Sequence, residues 1–295
     1  MSRRFGGLLG LAVAIAVVWA GPAPAMTGGQ LDGVDGVEHH PNVGALLVKV
    51  SASEYRQVCS GSVLSPTEFL TAGHCTDFLT GLGLTPDQVP EQVFVSFEPF
   101  LRQPDGTIDP TTKIPATGWV THPTFRTDPG EAKAYDDVGV VHLLDPAPDK
   151  ATPVMLPAAG LLDAQAAGGG LHGQIFETVG YGVNFINRSV KSPRAVVFKI
   201  GARIFTTLPF LSLTPYFLML QGNTNATSNT TDVDPQTGLG GACFGDSGGP
   251  AFSPPGSPLQ VQVAVVSSGP PTCGSLNVDQ RLDTPSVLDF LARFR

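Results

Sequence analysis

The sequence is poor in charged residues, and positive charge is the scarcer kind. Charged side chains make up 14% of the 295 residues, whereas about 25% is usual for a globular protein. The 17 Lys and Arg are outnumbered by 25 Asp and Glu, which gives a formal net charge of −8. No basic run occurs beyond Arg3 and Arg4. This composition disfavours a nucleic-acid-binding function.

Long apolar runs are also scarce. Residues 8–20 form an apolar run after Arg3 and Arg4, and the small residues Ala23, Pro24 and Ala25 follow it. This order is typical of a secretory signal peptide. An uncleaved membrane anchor is the alternative, but the run is shorter than the roughly 18 residues that a span requires. We therefore predict that residues 1–25 are removed and that a secreted chain without a membrane association starts at Met26.

Stretches with helical periodicity are few, whereas turn-forming residues are plentiful, with 35 Gly and 27 Pro. Two sets of short strand-like runs flank a proline-rich stretch at residues 146–157. This pattern predicts an all-β fold with two barrels or sandwiches, at residues 26–150 and 151–295. One C-terminal helix is expected, with Thr284 as its cap and Pro285 in its first turn, docking on the second half.

The chain has only four cysteines, Cys59, Cys75, Cys243 and Cys273. An even number in an exported chain indicates two disulfides, and four cysteines allow three pairings. Their grouping into an early and a late pair favours Cys59–Cys75 and Cys243–Cys273. A zinc site is the alternative, but no C-x2-C spacing is present.

The most informative motif is GDSGGP at residues 245–250. A serine among glycines can occupy a tight, exposed turn, and nearby backbone N–H groups can then stabilise an oxyanion. We assign Ser247 as the candidate nucleophile and the N–H groups of Gly245 and Ser247 as the candidate oxyanion donors.

A serine hydroxyl needs a base before it becomes a strong nucleophile. Histidine titrates near neutral pH and suits that task. Among six histidines, His74 stands in the string TAGHC, where small residues permit close approach of another segment. Asp136 and Asp137 precede an apolar strand-like run, and a buried carboxylate there could orient the imidazole. Asp137 adjoins the strand and is the preferred residue; Asp136 is the alternative.

These strings together resemble the chymotrypsin/trypsin family of serine peptidases. The matching stretches are residues 59–75, 136–143, 179–182, 243–250 and 265–269, and the order His, Asp, Ser is that of the family. The resemblance implies two antiparallel six-stranded β-barrels, with His74 and Asp137 from the first barrel and Ser247 from the second. It also implies a serine endopeptidase that works through an acyl-enzyme intermediate.

The resemblance extends to two further features. Met26-Thr27-Gly28-Gly29 is similar to the mature start of family members, which implies an ion pair between the Met26 amine and a buried Asp246. The specificity pocket would have Gly241 and Ala242 at its base and Ser267 and Gly269 in its wall. Because Gly241 replaces the Asp of trypsin-like members, that position offers no charge for Arg or Lys; Asp279 would restore one if it lies near the pocket.

Two other functional classes compete with this interpretation. A peptidase-like binding protein without catalysis would lack a triad residue or an intact GDSGG string, and neither is missing. An esterase of the α/β-hydrolase fold would place a helix after Ser247 and a histidine later in the chain, and neither is expected here. We predict protein or peptide substrates, protein inhibitors as partners, a monomeric state, and no metal or organic cofactor.

Overall fold

The computed structural model describes residues 29–128, 133–183, 185–187, 196–198, 201–222, 240–256, 260–270, 273 and 276–295. The predicted signal peptide and Met26 lie outside the described residues. The strands are β1 (Gln30–Leu31), β2 (Val43–Ser51), β3 (Glu54–Ser65), β4 (Glu68–Thr71), β5 (Val93–Ser96), β6 (Ile114–Thr121), β7 (Arg126–Asp128), β8 (Lys133–Tyr135), β9 (Gly139–Leu143), β10 (Ile175–Gly180), β11 (Phe185–Asn187), β12 (Val196–Phe198), β13 (Ile204–Leu213), β14 (Phe217–Leu220), β15 (Pro250–Ser253), β16 (Val261–Ser268) and β17 (Asn277–Arg281). The helices are α1 (Gly73–Gly81), α2 (Val89–Gln92), α3 (Leu161–Ala167) and α4 (Pro285–Leu291), followed by a 3-10 turn, Ala292–Phe294.

Two closed antiparallel barrels of six strands each form the molecule, which confirms the predicted fold class. The first barrel has the order β2-β3-β4-β9-β6-β5. The second has the order β13-β10-β15-β16-β17-β14 and closes through the pairing of β13 with β14, while β1 adds to the outer side of β13. The N-terminal strand therefore belongs to the sheet of the second barrel.

Apolar side chains fill each barrel because alternate residues of a strand point to the same face. Leu46, Val63 and Phe69 are among the fully enclosed residues of the first barrel. Phe176 and Leu218 have the same role in the second. The short strands with frequent turns that the sequence predicted are thus explained by closure around two separate cores.

The C-terminal helix is present as predicted, but its contacts differ from the expectation. Val287, Phe290 and Leu291 of α4 are buried against residues of both barrels, mostly the first: Leu64, Leu70, Val138, Val140 and Val265. The prediction that it docks on the second barrel was incomplete, because the same apolar face also packs against the first barrel. The Thr284 hydroxyl makes no capping hydrogen bond, so burial of the apolar face holds this helix.

The structure also contains three short helices, α1, α2 and α3, that the sequence analysis did not identify. The longest of them, α1, has nine residues, too few turns for a clear 3.6-residue periodicity. No helix among the residues that the structure describes has the length and apolar character needed to cross a membrane.

A buried arginine ties the N-terminal segment to the second barrel. The Arg203 guanidinium donates to Asp32 Oδ2 at 2.7 Å and to Glu38 Oε2 at 2.8 Å. The remaining Nη1 donates to the carbonyls of Val43 and Phe97. A buried charge of this kind is stable only when it is fully partnered, so these bonds fix the path of the chain leading to β2.

Candidate active site

The three predicted catalytic residues come from three different segments around a cleft of about 410 Å³. His74 is the second residue of α1, Asp137 precedes β9, and Ser247 lies in the loop before β15. His74 and Ser247 both line this cleft. The first barrel supplies the histidine and the aspartate, and the second supplies the serine.

Asp137 holds His74 through two separate hydrogen bonds. His74 Nδ1 lies 2.9 Å from Asp137 Oδ2, and the backbone N–H of His74 donates to Asp137 Oδ1 at 2.7 Å. The aspartate is fully buried, whereas a third of the histidine side chain is exposed in the cleft. A Cβ on Gly73 would lie 3.2 Å from Asp137 Oδ1 and 3.0 Å from Val138 N. The small residues of the TAGHC string therefore permit the close approach that the sequence predicted.

The acidic pair before β9 separates into two environments. Asp136 has a positive φ of 49°, and its Oδ2 accepts a hydrogen bond from Thr124 Oγ1 at 2.6 Å. Asp137 instead reaches the imidazole. The geometry thus favours Asp137 over Asp136 as the residue that orients His74.

The sequence analysis did not predict the contacts that two residues make with Asp137. Ser267 Oγ donates to Asp137 Oδ2 at 2.6 Å, and the Asp137 N–H donates to Gln280 Oε1 at 3.1 Å. Ser267 was predicted only as a pocket wall, and Gln280 was not considered. Both lie on strands of the second barrel, so no local motif marks them. These two partners fix the position of the Asp137 carboxylate.

The aspartate also sets the protonation behaviour of the imidazole. Burial alone would lower the pKa of His74, but the negative charge of Asp137 and its hydrogen bond outweigh burial. Asp77 adds a smaller effect in the same direction. The pKa of His74 is therefore raised above its ordinary value of 6.5, as expected for a histidine that must hold a proton during part of a reaction.

Backbone bonds anchor the loop that carries the serine. The carbonyl of Ser247 accepts the Ser60 N–H at 2.8 Å, and the Gly248 N–H donates to Val266 O at 2.7 Å. Gly248 has a φ of 82°, and a Cβ there would collide with the backbone of Ser60 and Ala72. Only glycine fits this position, which explains one glycine of the GDSGGP string.

The same loop leaves two backbone donors without internal acceptors. The N–H groups of residues 246, 248 and 249 all bond to backbone carbonyls. Within the described part of the chain, the N–H groups of Gly245 and Ser247 make no such bond. Paired free donors beside a serine hydroxyl are the requirement for an oxyanion site. The Ser247 hydroxyl itself makes no hydrogen bond to His74 in this structure.

Asp246 turns away from the cleft into the second barrel and is completely buried. Its Oδ1 accepts the Gly182 N–H and its Oδ2 accepts the Cys243 N–H, both at 2.8 Å. A Cβ on Gly182 would collide with this carboxylate. The predicted partner, Met26, lies outside the described residues.

A second cavity of about 250 Å³ adjoins Ser247. Three of the four predicted pocket residues, Ala242, Ser267 and Gly269, line it together with Val266. Gly241 is buried and does not line it. A cavity that contains the serine on its wall can hold a side chain next to a reacting carbonyl.

Both favoured disulfides, Cys59–Cys75 and Cys243–Cys273, are confirmed. Cys59, Cys75 and His74 place their ligand atoms within 4.8 Å of one another. A metal would need thiolates, and both sulfurs are consumed in the disulfide, while His74 Nδ1 is bonded to Asp137. These residues do not fit a metal site.

The fold also argues against the α/β-hydrolase alternative, because the serine loop leads into the antiparallel strand β15 and not into a helix. The family model described as Trypsin matches residues 34–286, which is most of the chain. No curated protein matches the chain.

Proposed function

This chain belongs to the trypsin family of serine peptidases, and we propose that it is a secreted endopeptidase in which Ser247, His74 and Asp137 form the catalytic triad. Membership of the family supports hydrolysis of protein or peptide substrates. The assignment of these residues rests on the two hydrogen bonds between Asp137 and His74, at 2.7 and 2.9 Å. Because Nδ1 faces the carboxylate, Nε2 is left to accept a proton.

The proposed reaction follows from this arrangement. Ser247 Oγ attacks the scissile carbonyl carbon while His74 Nε2 takes the hydroxyl proton. The negative charge that develops on the carbonyl oxygen is stabilised by the N–H groups of Gly245 and Ser247. His74 then protonates the leaving amine, an acyl-enzyme remains on Ser247, and water hydrolyses it with His74 again as base.

Export is part of the proposal. Two disulfides form in oxidising compartments, and residues 1–25 have the composition of a signal peptide. We propose that cleavage there frees the Met26 amine to pair with the buried Asp246. β1 supports this idea, since Gln30 pairs with Phe205 of the second barrel, and Met26 precedes Gln30 by only four residues.

N-terminal sequencing of the secreted, active protein should give Met26-Thr27-Gly28. A start well beyond Met26 would contradict the pairing of the Met26 amine with Asp246.

Covalent labelling tests the proposed function directly. A fluorophosphonate probe should react with the folded protein, and peptide mapping should find the adduct on Ser247. Labelling should disappear in Ser247→Ala and persist in Ser51→Ala, whose serine is the exposed last residue of β2. An unlabelled, folded protein would instead indicate a peptidase-like binding protein.

A further inference from the structure

A buried histidine outside the active site joins the N-terminal segment to the second barrel. This segment, residues 30–40, contains β1 and leads to β2. His40 ends the segment, and only 3% of its side chain is exposed. Asp32 of the same segment and Glu177 of β10 are buried beside it. The proposed reaction uses none of these three groups, so catalysis does not explain the cost of burying them.

Each ring nitrogen of His40 faces a carboxylate. Nε2 lies 2.9 Å from Glu177 Oε1, which is hydrogen-bond distance. Nδ1 lies 3.5 Å from Asp32 Oδ2 and makes no hydrogen bond among the described residues. A neutral imidazole carries a proton on only one nitrogen, so the lone pair of the other nitrogen would face a negative oxygen. The protonated ring instead presents an N–H to both carboxylates, and it is the form that this arrangement favours.

Asp32 connects the two ends of the N-terminal segment. Its Oδ1 accepts the N–H of His39 at 2.7 Å, and its Oδ2 accepts the N–H of His40 at 3.0 Å. Arg203, which directly precedes β13, donates from Nε to Asp32 Oδ2 at 2.7 Å. Two attachments therefore hold the segment on the second barrel, one through Arg203 and the other through the contact of His40 with Glu177.

The charges around His40 balance only when its ring is protonated. Among the described residues, five other charged groups form ion pairs in this cluster: Asp32, Glu38, Glu177, Lys150 and Arg203. The three carboxylates outnumber the two permanent cations by one, so a protonated His40 brings the cluster to neutrality. An uncompensated buried charge is costly. The neighbouring His39 does not contribute, because it pairs with Asp35 at the exposed surface.

Aromatic rings complete the surroundings of His40. Its ring lies 4.9 Å from the ring of Phe205 and 6.2 Å from that of Phe252, measured between centroids. Burial alone would lower the pKa of His40, but the interactions with Asp32 and Glu177 outweigh burial. The pKa of His40 is therefore raised above its ordinary value of 6.5.

We propose that His40 is a pH-sensitive clamp, whose protonated ring holds the N-terminal segment on the second barrel through Glu177 and whose deprotonation loosens that segment. Because the pKa of His40 is raised in the folded protein, the clamp is fully effective below pH 6.5 and is lost as the pH rises through the raised pKa. Arg203 keeps its charge in this range, so the segment loosens near His40 while β1 stays paired. No catalytic residue takes part, so the proposal does not depend on the proposed function.

Hydrogen exchange of the N-terminal segment tests the clamp. Ser247→Ala is the starting protein, so that self-cleavage does not interfere. The protection factor of peptides from residues 30–40 is the exchange rate of a synthetic peptide of the same sequence divided by the rate in the protein. It should fall by about tenfold or more between about pH 6 and about pH 9, the change expected when a hydrogen bond to a charged group is lost. Peptides from β9 should show no such change.

Two variants and a control assign this response to His40. His40→Gln keeps an N–H donor for Glu177 but cannot be charged, so its protection should be low at both pH values and independent of pH. Glu177→Gln removes one of the carboxylates that favour the proton, and the midpoint should move to lower pH. His39→Gln removes the adjacent, exposed histidine and should respond as the starting protein does.

NMR titration of the His40 ring needs no substitution at the clamp and decides the question if His40→Gln does not fold. Its midpoint should lie above 6.5 and coincide with the midpoint of the loss of protection. A midpoint at or below 6.5 would overturn the proposal. So would protection of residues 30–40 that does not change with pH, or a pH response that survives in a folded His40→Gln.

Discussion

Replacing Ser247 with alanine is expected to lower kcat/KM on any cleavable peptide by about 10⁴- to 10⁶-fold, the size of loss known for serine peptidases that lose their nucleophile. Without the hydroxyl, no acyl-enzyme can form. The residual rate would come from the free N–H groups of residues 245 and 247 and from substrate binding. Initial rates with active-site-titrated wild-type protein as the reference provide the measurement.

The variant should fold normally, because the loop is held through its backbone. The Ser247 carbonyl accepts the Ser60 N–H, and the Gly248 N–H donates to Val266 O; alanine keeps both bonds. Binding of a peptide product should therefore be unchanged, while turnover is lost. Ser51→Ala is the matched control and should retain full activity. Activity of Ser247→Ala within about tenfold of wild type would refute the assignment, because such a loss is far below that expected for a nucleophile.

The proposed triad also predicts how the losses of activity combine in a double variant. His74→Ala should lower the rate about as much as Ser247→Ala, since the hydroxyl is a weak nucleophile without its base. The double variant should be no worse than either single one, because residues that act as a unit are not additive. Losses that multiply would show that the two side chains act independently.

The parts of the candidate site that could be predicted from the sequence lie in short contiguous motifs. The glycines around Ser247 and the small residues before His74 lie within a few residues of the side chain whose placement they permit. They therefore appear in the sequence as contiguous motifs. The collision that a Cβ on Gly248 would cause with Ser60 and Ala72 is a consequence of the same local packing. The two disulfides could be favoured from the order of the cysteines, since each joins two that are neighbours in that order.

Contacts that depend on strand register could not be predicted from local motifs. Ser267 and Asp137 are 130 residues apart, and Gln280 and Asp137 are 143 apart. Their contact follows from how the second barrel closes against the first. Strands β16 and β17 pair Val266 with Asp279, and their register shifts at a bulge between Val266 and Ser268. A shift of one residue would turn the Asp279 carboxyl to the opposite face of the sheet. The packing of α4 against both barrels likewise depends on residues far apart in the sequence, such as Leu64 and Val265, and not on the helix itself.

Replacing Asp137 with asparagine should lower kcat by about 10⁴-fold, as is known for this family, while the fold is kept. The physical reason is the tautomer of His74. The carboxylate accepts a hydrogen bond from the protonated Nδ1, which leaves Nε2 without a proton and free to accept the one from Ser247. An asparagine amide placed to donate to Nδ1 would put the imidazole proton on Nε2, and the base could then no longer accept the proton of the serine.

The pH profile distinguishes this mechanism from a general loss of structure. His74 must be neutral to act as a base, so kcat/KM of the wild type should fall as the pH drops through the raised pKa of His74, with the midpoint above 6.5. In Asp137→Asn the main cause of the raised pKa is removed, and burial then favours the neutral ring. The midpoint of the acid limb should therefore move to lower pH even though the maximal rate is far lower.

Asp136→Asn is the matched control for this change, because it alters the adjacent buried carboxyl that bonds Thr124 Oγ1 and makes no contact with the imidazole. Its positive φ of 49° is one that asparagine adopts readily. This variant should keep both the rate and the midpoint of the wild type. If Asp136→Asn lost activity while Asp137→Asn kept it, the orienting carboxylate would be Asp136; if Asp137→Asn lost activity with an unshifted midpoint, the charge of Asp137 would not be what raises the pKa of His74.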